Sequence, residues 1–224
     1  MRIKILGVCG SPIYGGNVEL LLRESMQVAQ EVDGVEAEIL LLSQKNIKDC
    51  RHCNWCTNKQ EKDRFCNLKD DMYKIYPLVL EADGLIVASP AYFGRISGLL
   101  ANFLDRLRPF VFGKRYHGSL KDKVGGALSV AWSRHGGLET TLLSINCAFW
   151  TLGMLNVPQH GLLFGAAGVS SIAGTGDFVP TDRHQILKDE FGLRNARILA
   201  HRMIEIIKIV KLGKQALSSD CSVS

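Results

Sequence analysis

No stretch of the 224 residues stays apolar for the length of a membrane span. The apolar run near Met1 is too short for the core of a signal peptide. Without either segment, the expected compartment is the cytoplasm, with no membrane partner. Thiols stay reduced there, so clustered cysteines point to metal or catalysis and not to disulfides. Excess charge is also scarce. Lys and Arg number 27 against 22 Asp and Glu, a net +5, without the dense basic residues and interleaved aromatics that nucleic-acid binding needs. Neither G-x-G-x-x-G nor a G-K-[ST] ending occurs at the first strand turn, which removes the dinucleotide fingerprint and the nucleotide P-loop. There is no internal repeat and no evident acid–base dyad. With 46% hydrophobic residues the chain is not disordered.

What is present alternates strand and helix, the pattern of a doubly wound parallel sheet. Strands are expected at Ile3–Val8, Glu36–Leu42, Gly84–Ala88, Val124–Ala131 and Leu155–Phe164. Helices are expected at about Asn17–Glu31, after Asp70 or Asp71, after Ser97, at about Glu139–Leu152 and at about Arg183–Leu212. Pro77 should break or kink the second helix, and Pro109 should close the third. One domain is expected over residues 1–213, with 214–224 as a flexible tail. Basic residues on the last helix, such as Arg197, Arg202, Lys211 and Lys214, read as a solvated face. Cys221-Ser222-Val223-Ser224 lacks the aliphatic residue of a prenylation box. Two connections are long, about 43–69 and about 165–181, and long loops in a compact domain are functional or disordered.

The first long connection contains Cys50, Cys53, Cys56 and Cys66. Successive two-residue gaps let a short loop curl round one inorganic centre, and thiolate is the ligand of iron–sulfur clusters. His52 leaves a mixed zinc site open, and vestigial cysteines are the third possibility. Trp55 lies where it could shield such a centre from water, or be a partly exposed loop aromatic. Cys9 and Cys147 read as buried small hydrophobes.

Three loops follow strand ends, where open α/β sheets bind ligands. In the first, Ser11, Gly15, Gly16 and Asn17 open a helix, whose N-terminal N–H groups suit a phosphate. The second is Ser89-Pro90-Ala91-Tyr92-Phe93-Gly94, where Gly94 permits an unusual backbone angle and an aromatic could stack on a planar cofactor. The third is Ser133-Arg134-His135-Gly136-Gly137. Arg134 is a permanent cation suited to a ring that becomes anionic on reduction. His135 is expected to be an ordinary loop residue.

These segments together resemble the NADPH-dependent FMN reductase group of flavodoxin-like proteins, and its iron–sulfur flavoprotein branch in particular. The carriers are Gly10-Ser11-Pro12 with Gly16-Asn17, Ser89 to Gly94 leading to Ser97-Gly98 and Asp105-Arg106, Arg134 to Gly137 with Glu139, and the cysteine run followed by Asp70-Asp71-Met72. The resemblance implies a five-stranded parallel sheet in the order 2-1-3-4-5 with FMN across the strand ends. It implies that Ser11, Gly16, Asn17 and Val18 hold the FMN phosphate. Pro90, Ala91, Tyr92, Phe93 and Gly94 would flank the ring and ribityl chain, and Ser133, Arg134, His135, Gly136 and Gly137 would border the isoalloxazine. It implies one [4Fe–4S] cluster on Cys50, Cys53, Cys56 and Cys66, and a homodimer or homotetramer. Ile13 and Val18 depart from the basic residue and hydroxyl usual in the group, and the Cys56–Cys66 gap is longer than usual.

The function expected is an FMN-containing redox protein passing electrons between a reduced donor, a ferredoxin-like carrier or NAD(P)H, and an acceptor. Two alternatives are an NAD(P)H-dependent FMN or quinone reductase without a cluster, and a flavin-binding carrier or sensor that docks on a partner.

Overall fold

The computed structural model describes residues 1–177 and 180–220. Its elements in chain order are β1 Ile3–Cys9, α1 Asn17–Gln30, β2 Val35–Leu41, α2 Trp55–Asn58, α3 Met72–Glu81, β3 Gly84–Pro90, α4 Gly98–Asp105, α5 Arg108–Phe112, β4 Val124–Ala131, α6 Leu138–Thr151, β5 Leu155–Asn156, β6 Ala166–Val169 and α7 Glu190–Asp220. Every strand pairing is parallel, in the order 2-1-3-4-5, with β6 also on β4. Central strands β3 and β4 are buried at every residue, as strands covered on both faces must be. Two apolar layers result. One packs α3, α4 and α6 against one face, and the other packs α1 and α7 against the opposite face. No helix of the described residues is long and apolar enough to cross a membrane.

The fifth strand is two pieces. β5 pairs with Val124 and Gly125 at the start of β4, and β6 pairs with Leu128–Ala131 at its end. The intervening run Leu162-Leu163-Phe164 looks like strand by hydropathy, yet Leu163 is 70% exposed in a loop. β6 therefore occupies part of the connection expected to be loop. α3 runs unbroken through Pro77. Proline there removes the N–H that would reach the Tyr73 carbonyl, but Tyr73 and Pro77 are both exposed, so the lost bond falls on the solvent side of the helix, where it is cheapest. Pro109 does not close α4, which ends at Asp105. It sits in the first turn of α5, where a missing N–H costs nothing.

α7 starts later than expected and continues to Asp220, through much of the segment expected to be a tail. Residues 221–224, with the C-terminal cysteine, lie outside the described residues. Four basic residues of α7 pair within the chain: Arg197 with Glu24, Arg202 with Glu205, Lys211 with Asp83, and Lys214 with Asp122.

Where the long loop leaves and rejoins the fold, Arg106 and Asp70 form an ion pair with side chains 1% and 0% exposed. Asp70 accepts from both terminal guanidinium nitrogens of Arg106, from Lys48 N–H at 3.0 Å and from Met72 N–H at 3.1 Å. Arg106 also donates to the Lys48 carbonyl at 2.8 Å. Burial pushes the Asp70 carboxyl up, but these hydrogen bonds outweigh it and leave it below its ordinary value of 3.8. The pair's contribution is therefore complete above that pH and is lost as the pH falls through the lower folded value. Asp70→Asn leaves Arg106 without its counter-charge and should cost about 3–5 kcal/mol near neutral pH. The gap to wild type should close in acid below pH 3.8. Urea unfolding across that range checks both, and a gap that stayed constant into acid would remove the charge pairing as its cause.

Candidate functional site

The parallel register brings the ends of β1, β3 and β4 level, with Cys9 beside Ala88 and Pro90 beside Val130. A set of small-residue contacts locks the three following loops together. Ser97 caps α4 by accepting from Leu100 N–H, and its hydroxyl donates to the Gly10 carbonyl at 2.5 Å. Ser97 N–H donates in turn to the Ser89 hydroxyl at 3.1 Å. A Cβ on Gly10 would lie 2.7 Å from the Leu100 Cβ.

In the first loop, the N-cap of α1 is Gly16, so no side chain caps the helix and its first N–H groups keep their anion-binding capacity. The side chains expected to help are engaged elsewhere. The Ser11 hydroxyl accepts from Ile13 N–H at 3.1 Å. Asn17 bridges the Arg183 carbonyl and the Ile186 N–H, tying the loop to the segment before α7. Val18 is buried and offers the loop only its backbone. Buried Glu19 takes the Gly15 N–H at 2.8 Å, and Arg23 neutralises it at 2.7 Å. What this loop presents is thus a helix dipole and the N–H groups of residues 16–18.

The second loop is a tight turn. Tyr92 and Arg95 exchange both backbone hydrogen bonds, and the two residues between them, Phe93 and Gly94, have φ of 52° and 73°. Positive φ at both central positions is the type I′ signature. It is unusual for a phenylalanine, whose side chain here is fully exposed, with Tyr92 40% exposed beside it. In the third loop, Gly136 N–H closes a turn onto the Ser133 carbonyl, and Gly137 has φ of 88°. A Cβ on Gly137 would lie 2.4 Å from the Gly94 Cα, so the second and third loops meet backbone to backbone. His135 is exposed. Arg134 is held by the turn at 171–175: its N–H donates to Gly174 and its Nε to the Ala173 carbonyl at 2.8 Å. Arg134 also lines a groove of about 780 Å³ between α6, α7 and β6, with Leu138, Leu142, Ile172 and Phe191. An uncapped helix N-terminus beside exposed aromatic rings fits a phosphorylated cofactor with a flat ring system.

The cysteine run lies at the other end of α4. All four cysteines are among the residues lining one small cavity of about 20 Å³, with Tyr76, Arg106 and Arg108. His52 and Asn54, either side of Cys53, have φ of 48° and 55°, and these two left-handed residues curl the loop. Arg108 holds Asn54 at 2.9 Å. Cys66 returns to the cavity because the long gap is folded. Glu61 and Arg64 close a turn, Gln60 donates to the Phe65 carbonyl at 3.1 Å, and Phe65 stacks between Tyr76 and Tyr116. The Cys66 sulfur accepts from Leu68 N–H at 3.5 Å. Trp55 is half-buried with the Arg64 guanidinium 4.6 Å above its ring, and is not among the residues lining the cavity. Cys9 is buried, which raises its thiol to about 11, whereas Cys147 is exposed on α6 and is no core residue.

Among the described residues, no three His, Cys, Asp or Glu side chains stand close enough to hold a single metal ion. The chemistry of four thiols fits a thiolate-held centre, and the Tyr76 hydroxyl and the Nε of Arg106 and Arg108 are buried there without hydrogen-bond partners among the described residues, although the cavity of about 20 Å³ must widen to admit more than a single ion.

The model of the NADPH-dependent FMN reductase family matches residues 3–168. The chain belongs to that family. It is 35% identical over 211 residues to an iron–sulfur flavoprotein of Methanocaldococcus jannaschii, covering 93% of this chain and all of that one. It is 37% identical over 158 residues to an iron–sulfur flavoprotein of Methanosarcina thermophila, covering 70% of this chain and 78% of that one. A flavodoxin, WrbA-like protein from Agrobacterium tumefaciens shares the fold with a TM-score of 0.57 at 12% identity, over 95% of this chain and 99% of that one. This FMN reductase family member is a flavin-dependent oxidoreductase with a flavodoxin-like sheet.

Ser97 and Asp70 are expected beside helix starts, and each accepts from a backbone N–H there, from Leu100 and from Met72. Their signal was a polar residue beside a helix start, but which backbone group each would reach was not visible in the chain. Gly137→Ala must push the Gly94 turn away at a backbone angle that strains any side chain. It should destabilise the protein by about 1–3 kcal/mol and weaken FMN binding. Flavin fluorescence titration of the FMN-free protein measures the second effect, and unchanged affinity would remove the contact between the two loops from the FMN site.

Proposed function

We propose that this FMN reductase family member is an iron–sulfur flavoprotein, passing electrons between a reduced donor, a ferredoxin-like carrier or NAD(P)H, and an acceptor. The observation that carries the reading is the return of Cys66 to the cavity that Cys50, Cys53 and Cys56 already line. When bound, flavin exchanges one or two electrons and a cluster exchanges one, which lets a two-electron donor serve a one-electron acceptor.

The chain's own residues bind and orient. The N–H groups at the start of α1 would hold the FMN phosphate, with Ser11 and Asn17 shaping the loop from behind. Tyr92, Phe93 and the Gly94–Gly137 contact would border the ring. Arg134, on the same loop as Gly137 and held by the 171–175 turn, would bring a fixed positive charge to that border. α4 links the two sites. Its first residue follows Ser97 at the flavin loops, and its last, Asp105, lines the cysteine cavity. Eight residues at 1.5 Å per residue separate them by about 12 Å.

A reductase without a cluster is the second reading. It is favoured by the lack, among the described residues, of three groups converging on one ion. Anaerobic reconstitution with iron and sulfide, followed by assays for iron, labile sulfide and FMN, separates the two. The expected result is about four irons per chain, lost in Cys53→Ala while FMN is retained. FMN without iron in the wild-type chain would leave the second reading.

A further inference from the structure

Tyr76 has a hydroxyl that the fold does not use. The side chain is 1% exposed on α3. Its ring stacks on Phe65 at 5.1 Å and meets the edge of Phe110 at 5.9 Å. Both neighbours are phenylalanines, and a third would fill this place as well. The hydroxyl instead lies buried with no hydrogen-bond partner among the described residues. A buried hydroxyl left so is destabilising, because it has given up its water and gained nothing in return. Tyr76 lines the cavity of the four cysteines, together with Arg106 and Cys66. Arg106 cannot accept a hydrogen bond, because a guanidinium only donates. The one acceptor of the two is the sulfur of Cys66.

Resting on the reading of the cysteines as a thiolate-held cluster, we infer that the Tyr76 hydroxyl donates a hydrogen bond to the Cys66 thiolate once the centre is assembled. The bond would tune the centre, because hydrogen bonds to cluster sulfurs set its reduction potential. It withdraws electron density from the thiolate, favours the reduced state and holds the ligand in place. Cys66 then receives two donors, Leu68 N–H and Tyr76 O–H. In the metal-free chain the thiol is a weak partner, which leaves the hydroxyl unmet until the centre forms.

Tyr76→Phe removes one oxygen and keeps the ring. In the metal-free protein, thermal unfolding should be unchanged or raised, because an unmet buried hydroxyl is gone. After anaerobic loading with iron and sulfide, the cluster midpoint should move to a more negative potential and iron should be lost to a chelator several-fold faster. Tyr73→Phe, on the exposed side of the same helix, should change neither. A clear loss of stability in the metal-free Tyr76→Phe protein would show the hydroxyl already bonded within the fold, against the inference. Coincident potentials and chelator rates in loaded wild type and Tyr76→Phe would overturn it while leaving the cluster intact. A wild-type chain that takes up no iron would overturn the cluster reading, and this inference with it.

Discussion

Asp70 and Arg106 carry opposite full charges into a place where neither side chain keeps contact with water. Desolvation on that scale costs several kcal/mol per ion, and mutual attraction alone is a poor offset. The surroundings supply the rest. Asp70 gathers the backbone N–H groups of Lys48 and Met72 as well as the guanidinium, and Arg106 takes the Lys48 carbonyl. A leucine pair of similar volume would pack there but could not hold those backbone groups. The ion pair thus does a task that apolar packing cannot. It fixes the point where the chain leaves for the cysteine loop and the point where it returns, and it clamps both to the end of α4.

The same helix has its other end fixed by Ser97, which reaches back to Gly10 just after β1 and is itself held by Ser89 on β3. Two polar clasps therefore bracket one short helix, one under the flavin loops and one under the cysteines. Backbone geometry is strained at both ends of that span. Phe93 takes a left-handed conformation at one end, and His52 and Asn54 take it at the other. Such angles are unusual for phenylalanine and less so for asparagine and histidine, so the strain is greatest at Phe93.

Much of this fold was legible because buried parallel strands write themselves as apolar runs. β3 and β4 are buried at every residue and were easy to bound. The fifth strand was not, because Ala166-Ala167-Gly168-Val169 has little hydrophobic signal while the exposed Leu162-Leu163-Phe164 has a strong one. Residue type also marks the three loops and the four cysteines, without fixing what each polar group touches. Ser11 and Asn17 look like phosphate ligands by type, yet their side chains are spent inside the chain. That choice of partner is a long-range fact: Asn17 bonds residues more than a hundred and sixty positions away. Cys147 failed for a similar reason, since cysteine favours burial on average but one face of α6 is open to solvent.

The long gap before Cys66 looked like the weak point of the cysteine site, and its energetics say otherwise. Loop-closure cost rises only with the logarithm of length, about 0.6 kcal/mol for each doubling. Against that, the gap buries Phe65, which is 4% exposed and stacked between two tyrosines. Burying such a ring is worth about 1.5–3 kcal/mol, before the hydrogen bonds that Gln60 makes to Phe65, Arg115 and Tyr116. The added length therefore strengthens the return of the chain. Because Phe65 directly precedes Cys66, its burial against Tyr76 sets that cysteine beside the residue whose hydroxyl is still unmet.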